Sequence, residues 1–85
     1  MLKIEVAAGR GRGITVRLEG QLVGPWVHEL LRACEPFLDD RFTLTLDFSR
    51  VSFVDREGVA LCRRLRRNDA TLRNCSPFVQ EQINA

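Results

Sequence analysis

The sequence predicts an α/β fold, a mixed sheet of four strands with about three helices packed mainly on one of its faces. Two observations carry this. Stretches whose apolar residues alternate with period 2 are interleaved with stretches whose apolar residues recur at helical spacing. Pro25 and Pro77 stand where a first helical turn tolerates proline. Strands alternating with helices imply right-handed crossovers, and hence parallel later strands. With 85 residues there is room for one small core and a single domain over residues 1–85.

LKIEV and ITVRLEG both alternate polar with apolar residues, and AAGRGRG between them supplies turn glycines, so the chain opens with a hairpin or two strands joined by a loop. Gly9, Gly11 and Gly13 recur every second residue with no helix start behind them, which suits a loop and not a phosphate cradle. From Pro25 the period changes. Trp26, Val27, Leu30, Leu31, Ala33, Cys34, Phe37 and Leu38 fall on one broad helical face, with His28, Glu29, Arg32 and Glu35 opposite and Pro36 loosening the last turn.

FTLTLDFS reads as a central strand, with Phe42, Leu44, Leu46 and Phe48 on one face. Val51 to Val54 then bring the chain to the sheet rim. A second helix runs from about Arg56 to Asn68, burying Gly58, Leu61, Cys62 and Leu65 while Arg63 and Arg67 point away. ATLRN is a short fourth strand, and Ser76-Pro77 starts a third helix ahead of Phe78, Val79 and Ile83.

Composition excludes several classes. At 45% hydrophobic and 28% charged, the chain has enough apolar surface to fold, which argues against disorder. No apolar run approaches the roughly 20 residues of a membrane span, and the first residues alternate where a signal peptide is continuously apolar, so a cytoplasmic protein is expected. Cys34, Cys62 and Cys75 are odd in number and lack C-x-x-C spacing, as expected of reduced core residues with neither disulfide nor zinc. His28, the one histidine, reads as solvated surface.

The stretch FVDREGVALC (residues 53 to 62) sets Asp55, Arg56 and Glu57 between two apolar runs. A helix start explains them. Asp55 can cap free N–H groups, Glu57 in the first turn gains about 0.3–1 kcal/mol from the helix dipole, and Gly58 allows tight packing. The trio thereby stands at the carboxyl end of a strand, a common place for binding sites in α/β folds.

At these residues the chain resembles the STAS domain, the fold of anti-sigma-factor antagonists. LTLDFSRVSFVDREGVALCRRL followed by LRNCSPFV gives the series of an apolar strand ending in Asp, a Ser-containing loop, F-V-D-x-x-G opening a helix, and a strand leading to Ser-Pro, across about residues 14 to 83. The resemblance implies a regulatory protein-binding module without catalysis or cofactor. It implies a partner surface of Asp55, Arg56, Glu57 and Gly58, with Asp47 at a second acidic position. In regulatory members the residue before the helix-opening glycine is a serine or threonine that a partner kinase phosphorylates. Here Glu57 holds that place and Arg56 the one before it, so no phosphorylation site is expected. The chain also lacks the further strand and helix of longer members, and oligomeric state stays open. The implied partner is another protein, either a kinase-like anti-sigma factor or, for an accessory STAS subunit, a transport ATPase.

Glu57 has two readings. It is either a mildly stabilising helix-start acid or a fixed negative charge where relatives toggle between hydroxyl and phosphate, a group of about −1.5 to −2 that one carboxylate imitates in part. A catalytic cluster of Asp47, Asp55 and Glu57 lacks partners, because the only lysine is Lys3 and no glycine-flanked serine elbow accompanies His28. RRLRR (residues 63 to 67) suggests nucleic acid, but the net charge is only +2 and no aromatic interleaves the arginines, so a solvated helix end matched to the dipole is expected. An acidic partner protein could use the same surface.

Overall fold

The computed structural model describes Met1–Ala85. Its elements are β1 (Leu2–Ala8), β2 (Gly13–Leu22), α1 (Pro25–Cys34), β3 (Thr43–Val54), α2 (Arg56–Arg67), β4 (Thr71–Arg73) and α3 (Pro77–Asn84), in the order the sequence predicts. They form one sheet in the order β1-β2-β3-β4. β1 pairs antiparallel with β2, and β2, β3 and β4 run parallel.

One face of the sheet is apolar and carries all three helices. Leu2, Val16, Leu18, Leu22, Leu44, Leu46, Phe48, Val51 and Val54 from the strands are buried against Val27, Leu30 and Cys34 of α1, Leu61, Cys62 and Leu65 of α2, and Val79 and Ile83 of α3. Phe48, at the centre of β3, is fully buried, and such a side chain contributes about 1.5–3 kcal/mol. No polar or charged side chain is buried, so the fold rests on apolar packing and backbone bonding.

The largest departure from the sequence reading is in β3. No loop separates LTLDFS from SFVD, because the strand runs twelve residues to Val54. It does so by two bulges. Arg17 pairs with Asp47 and Glu19 with Arg50, so Leu18 faces two residues; Gly20 pairs with Val51 and Gln21 with Phe53, leaving Ser52 extra. Each inserted residue shifts the alternation by one, which is why Phe48, Val51 and Val54 all face the core.

Three smaller corrections follow from local geometry. α1 ends at Cys34, where Glu35–Phe37 tighten into a 3-10 turn, since Pro36 has no N–H to continue the helical ladder. Phe42 lies just before β3 and packs edge-on against Phe37, ring centroids 5.2 Å apart. Cys34 and Cys62 are core residues, but Cys75, in the turn into α3, is only half-buried.

β4 covers only Thr45 to Asp47 of β3. Farther along that edge the Gln82 side chain of α3 acts as a strand neighbour: its Oε1 accepts from the Val54 N–H at 3.2 Å and its Nε2 donates to the Val54 carbonyl at 2.8 Å. Beside it two exposed phenylalanines, Phe53 and Phe78, stack with centroids 6.3 Å apart.

Candidate functional site

The helix start at the end of β3 is held by one carboxylate. Asp55 is in extended conformation, and its Oδ1 accepts from the Gly58 N–H at 2.8 Å, capping α2. Its Oδ2 accepts from the Gly24 N–H at 2.9 Å. Gly24 is the residue ahead of α1, at φ 54°, a left-handed conformation that favours glycine. The Asp55 N–H donates to the Leu22 carbonyl at 3.1 Å. Asp55 therefore ties the ends of β2 and β3 to the starts of both α1 and α2.

Gly58 is buried one turn into this junction. A Cβ there would lie 2.6 Å from Val54 Cγ1 and 2.8 Å from the Leu22 carbonyl oxygen, so a larger residue would force α2 off the sheet. With Asp55 and Gly58 fixing the turn inward, Arg56 and Glu57 are left exposed, and neither is ion-paired. Glu57 also borders a cleft of about 330 Å³ between α1 and α2. Val27, His28 and Leu31 line it from α1; Ala60, Leu61, Arg64 and Arg67 continue the α2 wall. His28 is exposed, as expected, and shares this cleft with Glu57.

Asp47 lies elsewhere. It lies eight positions before Asp55 along β3, roughly 25 Å at strand rise. It sits on the sheet face that no helix covers, in a concavity of about 320 Å³ that also takes in Lys3, Glu5, Arg17, Glu19 and Arg50. Its Oδ1 accepts from the Ser49 N–H at 2.9 Å and from the Asn74 amide at 3.3 Å. The Ser49 bonds first, then Asn74 and the nearby Arg17 charge, hold its carboxyl below the usual carboxylate range. Across the strands Glu5, Arg17, Asp47 and Arg73 stand in register with alternating sign. Opposite charges placed so support the pairing, weakly because they are in water.

The arginine run divides in two. Arg63 does not point into water: its Nε donates to the Ile83 carbonyl at 2.9 Å and its Nη2 to the Ala85 carbonyl, so it caps the end of α3. Arg66 reaches Asn84 Oδ1 at 3.3 Å. Arg64 and Arg67 stay exposed on the cleft side and form no ion pair, although Arg67 also borders a second hollow that holds Asp39, Asp40 and Asp69. Two features escaped the sequence reading. The second Asp55 bond joins residues 31 apart and has no local signal. The cap by Arg63 depends on where α3 docks.

No three His, Cys, Asp or Glu side chains are grouped to hold a metal ion. Burial pushes the Cys34 and Cys62 thiols up to about 12, which keeps them neutral and poorly nucleophilic. No helix is long and apolar enough to cross a membrane.

Solved structures share this fold. The chain superposes on the anti-sigma factor antagonist SpoIIAA in its unphosphorylated form over 96% of its own length and 82% of that chain, with a TM-score of 0.78 and 21% identity. The fold is STAS-like. The phosphorylated form of SpoIIAA, a Bacillus cell fate determinant, matches at a TM-score of 0.77 and 21% identity, over 96% of this chain and 81% of that one. An antisigma-factor antagonist STAS domain from Rhodobacter sphaeroides matches at 0.65 and 21%, over 89% and 92%. No protein-family model matches the sequence, and no curated protein does. In this STAS-like fold the charged helix start stands where β3 delivers the chain to α2.

Proposed function

We propose that the chain is a non-catalytic regulatory module that binds another protein through the start of α2, in the manner of an anti-sigma-factor antagonist. Asp55 and Gly58 build the turn, and Arg56 and Glu57 present its charges to the partner. The observation that carries the reading is this outward-facing charged turn, pinned by both oxygens of Asp55, on a fold shared with an anti-sigma factor antagonist solved in both unphosphorylated and phosphorylated forms. Where the family resemblance implies a phosphorylatable hydroxyl, Glu57 supplies a permanent negative charge. Asp47, far from this turn, serves the uncovered sheet face.

The test is affinity capture from an extract of the source cell, with Arg56→Glu/Glu57→Arg as the control bait. A kinase-like anti-sigma factor held by the wild type and lost by the control is the expected result. A transport ATPase subunit captured in the same way would select the accessory-subunit role instead. Equal capture by both baits would move the partner surface away from α2.

A further inference from the structure

The cleft beside Glu57 has a chemistry of its own. α2 carries five arginines against one acid, whereas the whole chain is only +2. Arg63 and Arg66 are engaged with the end of α3, but Arg64 and Arg67 are exposed, unpaired and set along the cleft wall. The floor between them and α1 is apolar: half-buried Leu31 and exposed Ala60 offer surface above the core residues Val27 and Leu61. Glu57 stands at the opposite end of the wall, ten residues along α2 from Arg67, about 15 Å at helical rise. The cleft thus has an apolar floor with His28 on its α1 side, two arginines toward one end and Glu57 at the other.

We infer that this cleft receives an acidic amphipathic helix of the partner protein, apolar side inward and acidic residues at the end facing Arg64 and Arg67. The inference rests on the proposed function and names the partner's chemistry at the same surface. Charge complementarity fixes the occupant and its direction: acids near Glu57 are repelled, while acids near the two arginines gain unpaired cations. The groove's length suits about three turns of helix with anchors at i, i+3/i+4 and i+7. A lipid surface fits less well, since a concave floor gives a flat bilayer little to bury. Nucleic acid fits less well too, since two free arginines with no stacking aromatic neutralise few phosphates.

The experiment is an NMR titration of the ¹⁵N-labelled chain with a synthetic helical peptide of about fourteen residues, leucines on one face and glutamates clustered at one end. Comparison ligands are the peptide with lysine for glutamate, a scrambled peptide of the same composition, phosphatidylglycerol vesicles and single-stranded DNA. Saturable shifts confined to α1 and α2, weakened at least tenfold by Arg64→Glu/Arg67→Glu, are expected. Ala60→Trp, which fills the cleft without changing charge, should abolish them, and Arg10→Glu on the distant hairpin should not. Equal binding of the scrambled or lysine peptide, tighter binding to vesicles or DNA, no binding, or indifference to Ala60→Trp would each overturn the inference. Partner capture that depends on Arg56 and Glu57 but not on Ala60 would overturn it while leaving the proposed function standing.

Discussion

Replacing Asp55 by alanine removes both bonds that lock the turn at the start of α2, and the geometry of each bond sets its cost. The cap on Gly58 is a 2.8 Å bond at a helix N-terminus, where losing the capping side chain costs typically about 1 kcal/mol. The 2.9 Å bond from Gly24 is charge-assisted but exposed, so about 1 kcal/mol is a fair share of the usual range for bonds to charged groups. Asp55→Ala should therefore lose about 2 kcal/mol, and Asp55→Ser, which keeps a capping oxygen for Gly58 but cannot also reach Gly24, about 1 kcal/mol. For a domain of this size that is a fall in melting temperature of about 8–16 °C for alanine and half that for serine. Urea unfolding, with the slope checked for constancy, is the assay. A loss below about 0.5 kcal/mol for Asp55→Ala would refute the idea that one carboxylate holds both helix starts.

Gly58→Ala should destabilise by about 1–2 kcal/mol, because overpacking against Val54 and the Leu22 carbonyl outweighs alanine's helix preference; a stabilised variant in the same unfolding assay would contradict the close contact. Alkaline pH should unfold the protein through its thiols. Cys34 and Cys62 ionise near 8.5 when unfolded but at about 12 when folded, so their stabilising effect is intact below 8.5 and is lost as pH rises toward 12. With no tyrosine and one lysine, few other groups titrate there. Stability should fall by about 1.4 kcal/mol per pH unit for each thiol, and a profile flat between pH 8 and 10 would contradict this. A serine/threonine kinase active on related domains should leave residues 55 to 58 unmodified, since Asp55, Arg56, Glu57 and Gly58 carry no hydroxyl; a phosphate found there by mass spectrometry would refute it.

Much of the fold was legible because local signals agree with tertiary packing. The helix starts at Pro25, Arg56 and Pro77 follow from prolines in first turns and from the Asp55 and Ser76 caps, the latter accepting from the Val79 N–H at 3.1 Å. The end of β3 was obscured because Ser49, Arg50 and Ser52 break the alternation, and only pairing with β2 shows that these are bulges within one strand. The site was half legible. Asp55, Arg56, Glu57 and Gly58 meet at one turn, as neighbours in sequence must. Asp47 was grouped with them through a family pattern, while strand geometry carries it to the other sheet face. The cleft needs α1 and α2 side by side, a contact that no spacing within either helix encodes.

On the proposed function, Glu57 is a fixed signal to a partner and more than a helix-start acid. Titration calorimetry of the wild type and Glu57→Ser against the captured partner decides between the two roles. The substitution removes only an exposed dipole interaction, so stability should change by on the order of 0.5 kcal/mol and the fold should persist. Affinity for the partner should change tenfold or so, about 1.4 kcal/mol. Equal affinities for the two proteins would contradict the claim and leave Glu57 a helix-start acid with no message.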